Sequence, residues 1–255
     1  LGVDRLPGAE IVAAARDVER ILDLDSDQLN ESFRQAAPRL AGEAVTEALA
    51  RAGVSPGEVD ALLVCTCTGY LCPGVSSYVA EQLGLRENTF LQDLVGLGCG
   101  AAIPTLRAAG ALLAAQPDAV VVTVAVEICS SAFYLDDDLG VLFSACLFGD
   151  GAAAAVWRST PGPEGWRCHG FDTLHRPADR DRIRFEQRGG KLRNLLHPSV
   201  PQLAAAAVST LHARASAQVG ERPLGRVLSH TGGRDVLRAL ETALPGQSLR
   251  ASKDV

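Results

Sequence analysis

Residues 96–116 read GLGCGAAIPTLRAAGALLAAQ, in which a glycine-rich segment carries Cys99 and then gives way to an Ala/Leu-rich segment. The pattern predicts a helix that begins one or two residues after the sulfur. Pro104 fits the first turn of that helix, because the missing N–H of proline costs no hydrogen bond there. The glycines around the sulfur permit a sharp turn from a strand into this helix. The stretch therefore predicts a strand, a tight turn with a cysteine, and a helix.

Cys99 is a candidate nucleophile because of this position. The first backbone N–H groups of a helix have no partner within the helix and carry partial positive charge, which favours the thiolate form of a nearby thiol. Glycines next to the sulfur also let a bulky substrate approach it. The alternative is a buried structural cysteine, since free cysteine is among the most buried residue types. The segment alone leaves both interpretations open.

Two apolar runs flank this segment, residues 61–66 (ALLVCT) and 119–127 (AVVVTVAVE), and they are typical of buried strands. Residues 90–95, which lead into the Cys99 turn, and residues 145–157, bent at their glycines, are also predicted strands. Helical spacing of apolar residues lies over 1–53, with stop signals at Gly53 and Pro56, and again over 77–83. Strands alternating with helices predict a layered α/β domain.

A change of composition divides the chain. Residues 159–165 (STPGPEG) contain two prolines and two glycines and are the best candidate linker, which predicts domains over 1–158 and 166–255. The second region is expected to contain a helix over 201–218, a strand over 226–229 and a helix over 235–244. His230 directly follows that predicted strand and precedes TGG, so a reactive side chain again lies between a strand end and a helix start.

Composition excludes several classes of protein. The net charge of −6 gives no general attraction for nucleic acid or anionic membranes. The longest apolar run, residues 119–126, is too short to cross a bilayer, and no leader-like segment opens the chain. Seven scattered cysteines favour reduced thiols over a disulfide framework. We therefore expect a cytoplasmic protein with no nucleic-acid or membrane partner.

Other candidate sites are weaker. Cys65, Cys67 and Cys72 lack the second pair of ligands that structural zinc requires, so no metal site is predicted. Residues 176–193 contain seven basic and three acidic side chains and are expected to form a solvated face, with phosphate binding as the alternative. Four histidines in polar loops or on a helix face are expected to be solvated or capping residues: His169, His175, His197 and His212.

Four segments taken together resemble the type III polyketide synthases, the chalcone synthase-like branch of the thiolase superfamily. They are CTCTGYLCPG (65–74), DLVGLGCGAA (93–102), LFGDGAAAAV (147–156) and LSHTGG (228–233). The last segment is more similar to the H-P-G-G of this branch than to the H-Q-A-N of bacterial ketoacyl synthases. The resemblance implies a thiolase-like layered αβαβα fold with two pseudo-repeated halves. The second half is expected to be incomplete.

The resemblance also implies roles for individual residues. Cys99 matches the acyl-accepting nucleophile and His230 the catalytic histidine, while Cys72 matches a residue that reaches into the cavity of a neighbouring subunit, implying a homodimer. Six positions match substrate-binding residues, the first of them a gatekeeper phenylalanine: Phe148, Gly149, Cys67, Thr68, Cys129 and Ala132. Arg193 or a neighbour stands where the family has a second gatekeeper phenylalanine. The family's third catalytic residue, an asparagine, aligns beyond the last residue of this sequence.

The activity implied by the resemblance is iterative decarboxylative condensation of malonyl-CoA onto an acyl-CoA starter, with coenzyme A thioesters as substrates and neither a metal nor a further cofactor. Two alternatives stay open at this point. One is an initiating ketoacyl synthase that performs a single condensation. The other is a catalytically silent homologue or partner subunit, since the asparagine that would complete the site is not in this sequence.

Overall fold

The structure is a computed structural model, and it describes residues 24–132, 141, 144, 147–160, 165–220, 224–249 and 252. Its contacts divide the chain into two units. The first comprises Leu1–Arg167 together with Gln187–Arg193, and the second comprises Cys168–Glu186 and Asn194–Val255. The predicted helix over 1–53 lies partly outside the described residues, as does part of the predicted strand over 145–157.

A four-stranded sheet forms the centre of the first unit. Its strands are β1 (Ala61–Thr66), β2 (Phe90–Val95), β3 (Val121–Glu127) and β4 (Gly151–Trp157), in the spatial order β2-β1-β3-β4. β1 pairs parallel with both β2 and β3, whereas β4 pairs antiparallel with β3. All six residues of β1 are buried, as its continuous apolar sequence predicts for a central parallel strand.

In the described part of the first unit, three helices cover the two faces of this sheet: α1 (Ser26–Ala52), α2 (Val75–Leu83) and α3 (Ala102–Ala115). Leu62 and Val64 of β1 belong to a core formed with α1 and α2. The alternate residue Leu63 belongs to a second core with Ala109 and Leu113 of α3. Because side chains alternate along a strand, β1 fills both cores, and the unit is a three-layered α/β/α arrangement.

Local signals fix the ends of α1. Gln28 N donates to Asp25 Oδ1 at 2.8 Å, and Asp25 N donates to Gln28 Oε1 at 3.0 Å, which completes a capping box. The helix ends at Gly53, whose φ of 61° is in the left-handed region that glycine adopts without strain. The stop signal predicted at Gly53 is therefore confirmed.

Residues Gly98–Ala115 have the length and composition of a membrane-spanning helix, with 22% of that stretch buried. The buried residues of α3 are Thr105, Ala109 and Leu113, which recur every four residues and therefore lie on one face. Ala109 and Leu113 pack against β1 and β3. Packing on the sheet accounts for the apolar character of this face.

The predicted strand over 145–157 is wrong in its first part. Leu147 is helical and residues 148–150 have no regular structure, so β4 begins only at Gly151. The start of β4 is set by the end of its neighbouring strand β3. β3 ends at Glu127, which pairs with Gly151, so the residues before Gly151 have no partner in β3 with which to form a ladder.

The described residues of the second unit include a short 3-10 segment (Pro177–Arg182) and the helices α4 (Val200–Val219) and α5 (Arg234–Ala243). Leu237 and Leu240 of α5 form a small core with Leu249, and residues of α4 pack on it. Strands β5 (Ile183–Arg188) and β6 (Lys191–Leu196) form a separate two-stranded sheet whose residues divide between the two units.

The β5–β6 hairpin was not predicted, although the sequence carries a signal for it. Gly189 and Gly190 connect the two strands, with φ values of 58° and 76°. A two-residue turn with both φ values positive is the favoured hairpin turn, and a Gly-Gly pair is typical of it. The arginines of this region interrupt the apolar runs from which strands are predicted.

The predicted strand over 226–229 is wrong, because these residues have no regular structure. Among the described residues of this unit, no strand lies beside them to complete a ladder. Ser229 N donates instead to Ser252 Oγ at 2.8 Å. His230 therefore follows an irregular segment that a side chain, not a neighbouring strand, holds in place.

Candidate active site

Cys99 lies in a 3-10 turn, Gly98–Gly100, between β2 and α3, and its side chain is exposed. Gly96 and Gly98 have φ values of 78° and 56°, a region that residues with a Cβ rarely adopt. The predicted glycine turn is thus confirmed. α3 begins at Ala102, three residues after the sulfur and not one or two as predicted, because the 3-10 turn takes up the intervening residues.

Glu127 organises the adjacent carboxyl ends of β1 and β3. Its carboxylate accepts from Cys67 N and Thr68 N at 3.0 Å, from Thr68 Oγ1 at 2.8 Å and from Thr66 Oγ1 at 3.2 Å. Thr68 Oγ1 also accepts from Ile128 N at 2.9 Å. These bonds hold the chain after β1 against the chain after β3, so two segments with predicted site residues have fixed positions.

The charge of this carboxylate acts on the thiols of Cys67 and Cys129, and both of these interact with Cys99; we call Cys67, Cys99, Cys129 and Glu127 the thiol cluster. The Cys67 and Cys99 side chains form a hydrogen bond, which together with burial and the charge of Glu127 raises the pKa of the Cys67 thiol far above its usual range. Burial, followed by the negative charges of Glu127 and Asp150, raises the pKa of Cys129 to about 12. Cys67 and Cys129 are therefore neutral thiols at physiological pH.

The segment with Phe148 and Gly149 is tied to the turn Cys129–Ala132. Asp150 accepts from Ser130 N at 2.8 Å and from Ser130 Oγ at 2.7 Å. Phe148 is half-buried, while Gly149 is exposed. The predicted gatekeeper segment and the predicted cavity residues Cys129 and Ala132 are thus linked through one aspartate–serine contact.

Ala132 and Thr68 also line a cleft of about 300 Å³ within the first unit. The other walls come from α1, including Phe33, and from the hairpin tip, including Lys191. Gly69 lies at the same cleft in close contact with the Phe33 ring, since a Cβ on Gly69 would be 2.4 Å from it. The cleft adjoins the segment that holds the thiol cluster, because Thr68 follows Cys67 directly.

Cys72 is exposed and lies in the segment that precedes α2. Asp93 of β2 accepts from Ser76 N at 3.2 Å and forms a further, shorter hydrogen bond with Ser76 Oγ. This contact caps the start of α2 and links the Cys72 segment to β2, a strand at the edge of the sheet.

His230 belongs to the second unit, in the irregular segment before α5. Its carbonyl oxygen accepts from Ser229 Oγ at 2.8 Å. A Cβ on Gly232 would lie 3.2 Å from Cδ2 of the imidazole, and Gly233 has a φ of 97°. The two glycines after the histidine therefore leave space for its ring and permit the turn into α5.

Sequence reasoning missed Glu127 and Asp150. The signal for Glu127 is a single charged residue at the end of the apolar run AVVVTVAVE, and a carboxylate at a strand's carboxyl end is a common site position. Asp150 lies between two glycines in LFGDG. Among the described residues, no group of three or more His, Cys, Asp or Glu side chains is arranged to hold a metal ion.

Comparison with known proteins identifies the family. A family model described as FAE1/Type III polyketide synthase-like protein matches residues 16–163. The chain belongs to this family. The family and the thiolase-like α/β fold implied by the four sequence segments are therefore confirmed, since solved structures of its members share the fold of this chain.

Two solved relatives show the extent of the match. The 1,3,6,8-tetrahydroxynaphthalene synthase of Streptomyces coelicolor A3(2) superposes with a TM-score of 0.82 at 26% identity, covering 92% of this chain and 68% of the relative. Germicidin synthase from Streptomyces coelicolor superposes with a TM-score of 0.81 at 26% identity, covering 99% and 68%.

Proteins related to this chain by sequence are consistent with the same family. The 3,5-dihydroxyphenylacetyl-CoA synthase of Streptomyces toyocaensis is 29% identical over 236 residues, covering 86% of this chain. The 1,3,6,8-tetrahydroxynaphthalene synthase of Streptomyces peucetius is 31% identical over 248 residues, also covering 86% of this chain. The chain spans about 60% of the length of these curated relatives.

Proposed function

We propose that this chain carries the acyltransferase chemistry of a type III polyketide synthase, the iterative decarboxylative condensation of malonyl-CoA onto an acyl-CoA starter. The observation that carries the proposal is the placement of Cys99: an accessible thiol on a glycine turn before α3, in contact with Cys67 of the thiol cluster. Several family members with related sequence are named as synthases of polyketide products.

In this mechanism the Cys99 sulfur attacks the carbonyl carbon of the acyl-CoA, the S–C bond forms, and the coenzyme A thiolate leaves. Malonyl-CoA then loses carbon dioxide, and the resulting enolate carbon attacks the acyl group on Cys99. A C–C bond forms while the Cys99 thiolate leaves. A sulfur nucleophile suits both steps because a thiolate is nucleophilic and also a good leaving group. His230 donates a hydrogen bond to the enolate oxygen.

The remaining site residues are proposed to shape the space for the growing chain. Cys67, Thr68, Cys129 and Ala132 surround the ends of β1 and β3, and two of them line the cleft of about 300 Å³. The half-buried Phe148 with Gly149 would control entry. Arg193 of β6 or a neighbour is proposed to replace the second gatekeeper phenylalanine of the family, which would make the entrance more polar.

The proposed partners are acyl-CoA, malonyl-CoA and a second copy of the chain, without a further cofactor, in the cytoplasm. The edge strand β2 supports the dimer, because Phe90, Leu91 and Val95 are 50%, 37% and 44% exposed. An exposed apolar edge strand is a ready template for pairing with another chain. The Cys72 segment, tied to β2 through Asp93, would then lie near the second copy.

The loading step is tested by the intact mass of the protein after incubation with acyl-CoA. We expect one acyl adduct on the unmodified chain and on a Cys168→Ala control, which removes another exposed thiol, and none on Cys99→Ala. An equal adduct on Cys99→Ala would contradict the assignment of the nucleophile.

The condensation step is tested by release of carbon dioxide from malonyl-CoA. His230→Ala should lower that rate about 10²–10³-fold, as loss of an oxyanion donor does, and should leave acylation of Cys99 detectable. His175→Ala, an exposed histidine, is the matched control. Products of several condensations support the proposed function, a single condensation supports an initiating ketoacyl synthase, and neither adduct nor carbon dioxide release indicates a silent homologue.

A further inference from the structure

Asp150 joins the segment with Phe148 to the turn Cys129–Ala132 at two points. Its Oδ1 accepts from Ser130 N at 2.8 Å, and its Oδ2 accepts from Ser130 Oγ at 2.7 Å. Because each carboxylate oxygen has its own donor, the contact fixes both the distance and the orientation of the two segments. Hydrogen bonds to an ionised acceptor are also stronger than those to a neutral one. Neither Asp150 nor Ser130 has a part in the mechanism above.

The turn on the Ser130 side is firmly held. Ser131 Oγ donates to Ile128 O at 2.6 Å, and Ser131 N donates to the same oxygen at 3.1 Å. Ile128 N donates in turn to Thr68 Oγ1 at 2.9 Å, which ties the turn to the chain after β1. Ser131 and Ile128 are both buried. The turn is therefore a fixed wall.

The segment with Phe148 is held less firmly. Residues 148–150 have no regular structure, and Phe148 N donates to Ser144 O at 3.0 Å within the same stretch of chain. A Cβ on Gly149 or on Gly151 would meet no described atom within 4 Å. Packing by the described residues therefore does not fix the chain on either side of Asp150, and the position of this segment relative to the turn depends on the contact with Ser130.

The contact also lies near the nucleophile. Cys129 directly precedes Ser130 in the turn. Burial is the main cause of the raised pKa of Cys129, and the charges of Asp150 and Cys99 contribute to it, so both groups lie close to the Cys129 thiol. A movement of the Phe148 segment away from the turn would thus change the space in front of Cys99.

We propose, on the basis of the proposed function, that Asp150 is a positioning residue whose contact with Ser130 holds Phe148 against the turn and so limits the size of the groups that reach Cys99. Asp150 itself touches no reacting atom. Without this contact the Phe148 segment would move away from the turn, and bulky acyl groups would reach the sulfur more readily. Small groups would gain less, because they pass the entrance in either arrangement.

The test compares the rates at which N-methylmaleimide and the bulkier N-phenylmaleimide modify Cys99 in the full chain, followed by peptide mass spectrometry. The ratio of the rate of the bulky reagent to that of the small one does not depend on the pKa of the thiol, because both reagents attack the same thiolate. Asp150→Ala should raise this ratio about 3- to 10-fold, the equivalent of about one hydrogen bond.

Asp150→Asn should leave the ratio near that of the unmodified chain, because its amide oxygen accepts from Ser130 N and its N–H₂ group donates to Ser130 Oγ. Phe148→Ala should raise the ratio by itself. Adding Asp150→Ala to Phe148→Ala should give no further rise, because the aspartate acts through the phenylalanine. Ser130→Ala keeps the backbone donor and should raise the ratio about 2- to 3-fold, which tests the contact if Asp150→Ala fails to fold by circular dichroism.

Glu58→Ala is the matched control and should leave the ratio unchanged. Glu58 accepts from Ser55 N and from Ser55 Oγ, both at 2.8 Å, which is the same kind of carboxylate–serine contact in the segment before β1.

An unchanged ratio in Asp150→Ala or Phe148→Ala would overturn the proposal, as would a further rise in the double variant or an asparagine variant that behaves like the alanine variant. A rise of the same size in Glu58→Ala would overturn it too. Maleimide modification needs no acyl-CoA, so failure of the proposed function appears separately, as a missing acyl adduct on the unmodified chain.

Discussion

At the scale of single residues, Glu127 explains why the ends of β1 and β3 have a defined arrangement. One carboxylate accepts hydrogen bonds from three consecutive residues, Thr66, Cys67 and Thr68. Hydrogen bonds to a charged acceptor are stronger than those to a neutral one. The position of Cys67 at the end of β1 therefore depends on Glu127, a residue of a different strand.

Replacing this acceptor tests that dependence. Glu127→Gln should lower the free energy of unfolding by about 1–3 kcal/mol, because a neutral amide replaces a charged acceptor and presents one N–H₂ group to backbone donors. It should also bring the pKa of Cys129 down from about 12, since a nearby negative charge is removed. Urea unfolding and thiol titration measure the two effects. Glu87→Gln, at an exposed turn, should change neither quantity.

The sequence predicts the role of some site residues but not of others. Cys99 stands out because glycines and a helix start surround it in consecutive positions. Glu127 does not, since its partners are about sixty residues earlier in the chain, and only the parallel register of β1 and β3 brings them together. A local sequence pattern does not show a role that depends on a contact between distant segments of the chain.

At the scale of elements, the segment after β1 depends on a glycine. A Cβ on Gly69 would lie 2.4 Å from the rigid aromatic ring of Phe33, which is 1% exposed. Gly69→Ala should therefore destabilise the protein by about 1–3 kcal/mol through overpacking. Gly57→Ala is the control, since nothing lies within 4 Å of its Cβ position, and it should stay within about 0.5 kcal/mol. Similar midpoints of urea unfolding for the two variants would contradict this packing.

The start of β1 depends on an ionised carboxylate. Val120 N donates to Asp60 Oδ2 at 2.8 Å, and this bond, with a smaller contribution from Arg86, lowers the pKa of Asp60 below its usual value. Because the pKa of Asp60 is lower in the folded state, its ionised carboxylate stabilises the fold. This stabilisation is present above the pKa of the unfolded state, near pH 4, and is lost as the pH falls through the pKa of the folded state.

Asp60→Asn should thus cost about 1 kcal/mol at pH 7, and the difference from the unmodified chain should shrink as the pH falls below about 4. Urea unfolding at both pH values measures it, with the exposed Asp118→Asn as the control. A difference that stays constant with pH would mean that the carboxylate charge is not involved.

The elements also show where sequence patterns succeed. β1 and β2 begin and end at the predicted residues. For β1 the reason is its continuous apolar run bounded by polar turns, and for β2 it is the glycine-rich segment that follows Val95. The predicted strand over 226–229 (RVLS) has two apolar residues but no neighbouring strand among the described residues of its unit. A strand requires a neighbouring strand to hydrogen-bond with as well as a suitable sequence pattern, and the sequence of one segment does not show whether such a neighbour exists.

At the scale of the whole molecule, the sheet has an edge that the described residues leave uncovered. β2 pairs with β1 on one side alone, and Leu91 and Val95 lie on the same face of the strand with their side chains exposed. A second copy that pairs along β2 would continue the sheet across a twofold axis, and the two edges would then cover each other.

The proposed homodimer predicts that charge on this edge separates the copies. The double variant Leu91→Lys/Val95→Lys places four like charges at a symmetric interface, so sedimentation velocity should show a monomer where the unmodified chain is a dimer. Ile183→Lys alters an exposed side chain (51%) of β5, which belongs to a separate sheet, and this variant should remain dimeric. Far-UV circular dichroism should be unchanged in both variants, which separates loss of association from loss of fold. A dimer that persists in the β2 variant would place the interface elsewhere on the molecule, and a monomeric unmodified chain would reject the dimer itself.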